Sequence, residues 1–358
     1  MEPKEGRKMT VWLVRAGKHG EFEQKFLQEN KVYVTWDKLA VDIGKMKERQ
    51  QLFDVMTEVY PEAKTRTIQQ NVSQVWPFGH EMQTGDLIVM PSKMQRAIYI
   101  AEITGGYQFE KQGPDPFFHY RSVKWIGEAI PRTNFGQDLL HSFGAFTTIC
   151  RIRRHNAEER IAAMRKNGWK PETAQAVTKA PTVQEDATAE DSSEQLDIED
   201  TARDQIANLI QARFAGHGLT RLVDAVLRAQ GYTTYVSPEG ADGGVDILAG
   251  SGPLGFGTTR LCVEVKSESG PMDRPSVDKL LGAMTKFGAQ EGLFVSWNGF
   301  KKNVQRELAP TFFRVRLWTQ NELFEALFDN YEKLDAEIKA ELPLKRIWTL
   351  ALQDEDEA

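Results

Sequence analysis

Short apolar runs, bounded by Gly, Pro and Asp, dominate the first half of the chain. MTVWLVRA, KVYVTW, GDLIVMP, AIYIAEITGGYQF and HYRSVKWI are rich in β-branched and aromatic residues and predict strands. GDLIVMP is apolar throughout, as a strand buried on both faces would be. Helices are predicted at 21–29, 45–58 and 155–166; the last starts at Asn156, with Glu159 at capping-box spacing. Many short strands with few helices predict a small closed or half-closed β-barrel.

The period changes after residue 200. RDQIANLIQARF and GLTRLVDAVLRAQGY read as amphipathic helices, the second stopped by Gly231. TTYVS, VDILAG and RLCVEVKS read as strands. Helix then alternates with strand through PSVDKLLGAMTKFGA, GLFVSW, KKNVQREL, FFRVRLW and NELFEALFDNYEKL. This order predicts a mixed sheet flanked by helices, an α/β arrangement within a chain that is α+β overall. The segment PETAQAVTKAPTVQEDATAEDSSEQLDIED (171–200) has no aromatic residue and few large aliphatics. It cannot bury enough to offset its ordering entropy and reads as a flexible acidic linker. The expected organisation is a tail (1–8), a first domain (9–166), the linker (167–200), a second domain (201–348) and an acidic tail (349–358).

Charge sharpens this division. The 358 residues carry a net charge of −6. Residues 1–166 hold 25 Lys and Arg against 20 Asp and Glu, while 167–200 hold 2 against 9 and 201–348 balance at 18 and 18. The negative excess therefore lies in the segments read as unfolded, and the first domain is mildly basic, as phosphate contact requires. No apolar run approaches the ~20 residues of a membrane helix. The start lacks an apolar run with a cleavage site, so no secretion signal is read. Two distant cysteines, Cys150 and Cys262, read as two buried thiols of a cytosolic chain, with one disulfide as the alternative. No Cys/His cluster has zinc-ligand spacing.

The chemistry concentrates in GGVDILAGSGPLGFGTTRLCVEVKS. Alternation along LCVEVKS sends Leu261, Val263 and Val265 to one face and Cys262, Glu264 and Lys266 to the other. Pairing with VDILAG would set Asp246 beside Glu264. Two close carboxylates repel unless a cation lies between them. Such oxygen ligands suit Mg²⁺ (or Mn²⁺), which keeps several waters and accepts phosphate oxygens. The Lys266 ammonium would then stabilise charge on a phosphate or orient an attacking water. A Glu-x-Lys tripeptide alone carries little weight, because exposed strands often alternate Glu and Lys as a cross-strand pair. The adjacent Asp and the flanking glycines add to it.

With these motifs in place, residues 213–330 resemble the catalytic domain of Mrr-like restriction endonucleases of the PD-(D/E)XK superfamily. The resemblance rests on GHGLTRLVDAVLRAQGY, DGGVDILA, CVEVKS, LLGAMTKFGAQEGLFVSWNGF and VRLW. It implies Mg²⁺-dependent phosphodiester cleavage, with Asp246 and Glu264 as metal ligands and Lys266 as the catalytic lysine. Many relatives have Gln in place of Glu264, and many carry a Glu on the first helix where this chain has Thr220. The helix acid is then either missing or supplied from elsewhere, with Glu239 as the candidate. Asp242 and Ser267 border the site, and His217 precedes the helix as a phosphate contact or a cap. Lys279 and Lys286 are candidate backbone contacts or a solvated helix face.

In the first domain, WLVRAGKHGE, VWPFGHEMQTGDLIVMP, YIAEITGGYQF and HYRSVKWI resemble PUA-like barrels, which include EVE and YTH domains. The resemblance implies an aromatic pocket for one flipped base, with Trp36, Trp76 and Trp125 as walls and Asn71 or Ser73 as edge readers. Arg15, Lys18, Arg121, Lys124, Arg151, Arg153 and Arg154 are candidate phosphate contacts. The expected function is a modification-dependent DNA endonuclease of host defence against phage, with double-stranded DNA as partner. A homodimer, or a dimer formed on DNA, would cut both strands. The flexible linker would let cleavage fall at a variable distance from the recognised base. Three other readings stay open: a structure-specific repair or recombination nuclease, a nuclease switched on by a nucleotide bound to the first domain, and an inactive nucleic-acid binder.

Overall fold

The computed structural model describes residues 9–145, 147–172, 198–238, 244–267, 270–307 and 309–348. The expected tails, most of the expected linker, Glu239 and Asp242 lie outside the described residues. The chain divides into two units, one ending at Asp204 and one spanning Gln205–Trp348.

The first unit is built on one mixed sheet. Its strands are β1 (Val11–Val14), β2 (Lys31–Val34), β3 (Leu87–Pro91), β4 (Ala97–Phe109), β5 (His119–Trp125), β6 (Ile130–Pro131) and β7 (Ile149–Arg151). The order is β2-β5-β4-β3-β1-β7, with β6 paired to β4. β1 and β3 are parallel and the other pairs antiparallel. The sheet is open: β2 and β7 are its two edges, so of the closed or half-closed barrel expected, the closed form does not occur among the described strands. Both faces are covered by helices, which removes the need for closure.

Alternation explains that double cover. On β1 and β3, Trp12, Val14, Ile88 and Met90 join one core, and Val11, Leu13, Leu87 and Val89 the other. The first core packs under α1 (Glu23–Glu29), α2 (Arg49–Val59) and α3 (Thr65–His80). The second packs under α4 (Gln137–Phe143) and α5 (Ala157–Lys166). α3 is not among the helices expected from the sequence, and Pro77 lies inside it. Burial of Ile68, Val72, Val75, Trp76 and Phe78 stabilises the helix despite the proline. Asn156 is the N-cap of α5, but its backbone is left-handed (φ 51°) and its side chain makes no cap bond, so the expected capping box is not formed.

Ion pairs within this unit hold the residues flanking 173–197. Arg160 binds both Asp138 and Glu172, and Gly136 N–H donates to Glu172 at 2.7 Å. On the other side, α6 (Ile198–Arg213) presents Asp200 and Asp204. Asp204 is 3% exposed and receives Arg132 and Arg96, while Asp200 receives Lys93 at 3.2 Å and Arg96 at 3.3 Å. Burial raises the Asp200 pKa, but the nearby Arg132, Lys93 and Arg96 outweigh it and hold the carboxyl below its usual value.

The second unit has five strands in the order β12-β11-β10-β9-β8: β8 (Thr233–Val236), β9 (Ile247–Gly250), β10 (Arg260–Lys266), β11 (Glu291–Ser296) and β12 (Val315–Trp318). β8, β9 and β10 pair antiparallel, and β10, β11 and β12 parallel, the mixed sheet expected from the sequence. One face packs on α7 (His217–Ala229), α10 (Gln320–Asn330), α11 (Ala336–Glu341) and the second half of α6. The other packs on α8 (Arg274–Phe287) and α9 (Lys302–Glu307). Gly292 lets α8 approach closely, since a Cβ there would lie 2.7 Å from Met284 Sδ.

Candidate active site

β10 alternates as its composition dictates. Leu261, Val263 and Val265 are buried with α7 and α10, and Cys262 is buried under α8. Burial raises the Cys262 thiol pKa to about 11. Glu264 and Lys266 follow on the Cys262 side, where the side chains are 14% and 31% exposed. Lys266 Nζ lies 2.6 Å from Glu264 Oε1.

The register of β9 on β10, with Ile247 facing Val263, brings Asp246 opposite Glu264. The Asp246 N–H donates to the Val263 carbonyl at 2.9 Å, and its Oδ2 accepts the Val265 N–H at 2.7 Å. Its own carbonyl accepts the Ser237 N–H at 2.9 Å. Asp246, Glu264 and Lys266 thus meet at the C-terminal end of β10, where Lys266 neighbours Ser296 of β11. Among the described residues no group of three or more His, Cys, Asp and Glu side chains forms a metal cluster.

α7 leads back to β8 through Gly231, so its first turn lies toward this same end of the sheet. His217 begins it and is exposed, while Thr220 is 3% exposed and offers no carboxylate. The next acid on the helix, Asp224, binds Arg228 at 3.0 Å, and Arg228 also binds Asp335 at 2.7 Å. Ser267, Lys279 and Lys286 are exposed. Three polar groups at this end escaped the sequence reading. Ser296 donates to the Gly299 carbonyl at 2.8 Å, Gln320 is buried at the start of α10, and Trp297 has a buried Nε1 without a partner. The break of the apolar run at Ser296 was their one visible signal.

The first-unit candidates separate. Trp76 is buried and stacks on His80 at 3.8 Å; Trp125 is half-buried, meets Tyr99 edge-on and donates to the Phe26 carbonyl at 3.3 Å. Trp36 is half-buried on the same core. Asn71 and Ser73 lie on α3, and the Ser73 hydroxyl donates to the Gln70 carbonyl. Among the described residues, no hydrogen bond or ring contact joins these five to one another.

Two of the expected phosphate contacts are buried and used internally. Arg15 donates to the Phe143 and Ala145 carbonyls at 3.1 and 2.8 Å, closing the end of α4. Arg121 donates to the Phe78 and Gly79 carbonyls at 2.8 and 3.4 Å, closing the end of α3. Burial lowers the Arg121 pKa to about 10. Helix C-termini need such donors, because their last carbonyls lack partners within the helix. Lys18, Lys124, Arg151 and Arg153 are exposed, Arg154 is half-buried, and Arg151 pairs with Glu158 at 3.0 Å.

Residues 211–327 match the family Mrr_cat, described as restriction endonuclease. Residues 12–142 match a domain of unknown function, DUF8426, which lends no support to the PUA-like expectation. No curated protein matches the chain. Among solved structures, "DNA modification-dependent restriction endonuclease AspBHI" is 13% identical, with a TM-score of 0.32 over 82% of this chain and 72% of that one. "MspJI Restriction Endonuclease in Complex with 27-mer Oligonucleotide" is 14% identical, with a TM-score of 0.31 over 94% and 80%. Superpositions this loose carry no weight for fold or function. The second unit is thus similar, over residues 211–327, to the catalytic domains of restriction endonucleases.

Proposed function

We propose that the protein is a metal-dependent DNA endonuclease that cuts modified DNA, with cleavage in the second unit and substrate selection in the first. The observation that carries this is the placement of Asp246, Glu264 and Lys266 at one strand end, inside the stretch that matches restriction endonucleases. The two carboxylates form an all-oxygen donor set, which fits Mg²⁺ or Mn²⁺ with water and phosphate oxygens completing the shell. Asp246 and Glu264 would hold the ion. Such an ion supplies positive charge to phosphate oxygens and lowers the pKa of its water.

The chain's own groups do the positioning. The Val265 N–H fixes the Asp246 carboxylate on the strand that carries the other two residues. Lys266 Nζ, now on Glu264, donates to a non-bridging phosphate oxygen as negative charge grows there. Thr220 contributes no carboxylate from α7, so the water is oriented from the strand side. Two cuts in a duplex need two such sites, and a homodimer or a dimer on DNA belongs to the proposal, as does a cytoplasmic setting. No described helix is long and apolar enough to cross a membrane.

In the first unit, the half-buried Trp36 and Trp125 are the better candidates for stacking on a flipped base; Trp76 is committed to the core. The test uses two matched plasmids, one unmodified and one carrying methylated or hydroxymethylated cytosine, each incubated with Mg²⁺. Cutting of the modified plasmid alone, lost in Lys266→Ala, is the expected result. Equal cutting of both would remove base modification as the trigger. Cutting by Lys266→Ala at the wild-type rate would overturn the site.

A further inference from the structure

The end of the second-unit sheet opposite the catalytic residues carries a different surface. Arg260 begins β10 six residues before Lys266, ~20 Å away at about 3.3 Å per residue. Three connections emerge there: the β9–β10 loop, the turn from α8 into β11, and the turn before β12, whose Arg314 carbonyl accepts the Gly292 N–H at 2.7 Å. All three expose large apolar side chains. Leu254 is 72% exposed, Phe256 82%, Phe287 37%, Phe312 55% and Phe313 89%.

Cations lie among these rings. Lys286 Nζ sits 5.2 Å from the Phe287 ring centre, and the Arg316 guanidinium 3.9 Å from that of Phe312. Arg260 and Arg314 are exposed at the same end. Across 251–260, 286–291 and 312–316 the chain has four cations and one acid, Glu291. Among the described residues, none of the four cations forms an ion pair. A groove of about 250 Å³ opens between Tyr235, Leu248, Leu254, Arg260 and Phe287.

Exposed ring faces set among uncompensated cations suit a strand with unpaired bases, since rings stack on bases and cations meet phosphates. A protein partner would have to desolvate four like charges to reach the same rings. We propose that this end of the second unit binds single-stranded nucleic acid. Phe256 and Phe313 stack on unpaired bases, and Arg260 and Arg314 hold the adjoining phosphates. The surface is separate from the active site and needs neither metal nor cleavage.

The experiment is fluorescence anisotropy of a labelled oligothymidylate of about 20 nucleotides with the full chain in chelator. Phe256→Ala/Phe313→Ala weakens binding about tenfold or more, with the salt dependence unchanged. Arg260→Ala/Arg314→Ala reduces the slope of log affinity against log salt by about 1.4, at roughly 0.7 for each phosphate no longer neutralised. Unchanged binding in both variants overturns the proposal, as does a loss of affinity in both that is as large for a blunt duplex of equal length. A phenylalanine variant that changes the sedimenting mass but not oligonucleotide binding marks a protein interface, which also overturns it. Chelator keeps these outcomes apart from any failure of the endonuclease reading.

Discussion

The Asp246 carboxylate accepts the backbone N–H of Val265 at 2.7 Å, so an acid from one strand is anchored on the strand that carries Glu264 and Lys266. In the proposed nuclease, anchoring and catalysis can therefore be separated by substitution. Asp246→Asn keeps an acceptor for that N–H and should leave the melting temperature nearly unchanged, while cleavage falls by about 100-fold or more. Asp246→Ala should lose cleavage and also about 1 kcal/mol of stability. Plasmid cleavage and thermal unfolding of the two variants check this.

Arg121 is buried and caps the end of α3. Arg121→Met keeps much of the bulk but leaves the Phe78 and Gly79 carbonyls without their donor. Unfolding in denaturant should show a loss of about 1–3 kcal/mol. The salt dependence of DNA binding by the folded variant should match the wild type.

His119 sets a pH dependence in the first unit. It is fully buried; its Nε2 lies 2.6 Å from the Leu39 carbonyl and its Nδ1 2.8 Å from the Tyr107 hydroxyl, which also faces Asp42. Burial lowers its pKa below the ordinary 6.5. The unfolded chain then binds the extra proton more readily, so stability is full above about pH 6.5 and falls as the pH drops below it. Unfolding of the wild type and His119→Gln at pH 5 and 7.5 tests this, the variant losing part of the difference.

Asp204 is buried between Arg96 and Arg132. Asp204→Ala leaves two arginines without it and should cost about 3–5 kcal/mol, read by denaturant unfolding. Arg203→Ala on the same helix removes a pair to the exposed Glu199 and should cost less than Asp204→Ala.

Both cysteines are thiols, Cys150 half-exposed and Cys262 buried. Under native conditions near pH 8, Ellman's reagent should react with Cys150 alone, because the buried Cys262 thiol has a pKa raised to about 11. Both thiols should react after denaturation.

The linear order of strands and helices in the second unit was legible in the sequence as far as α10, because those elements show their own hydrophobic period; α11 was not. The shared side of Glu264 and Lys266 was legible too, since it follows from strand alternation alone. Other features depended on partners distant in sequence. The length of α3 was decided by burial against the sheet, which outweighs the local effect of Pro77. The open first sheet was decided by which strands pair, and pairing is non-local. Arg15 and Arg121 look like any surface arginine in the sequence. Only the tertiary structure brings helix-end carbonyls within their reach, and a buried guanidinium needs such acceptors.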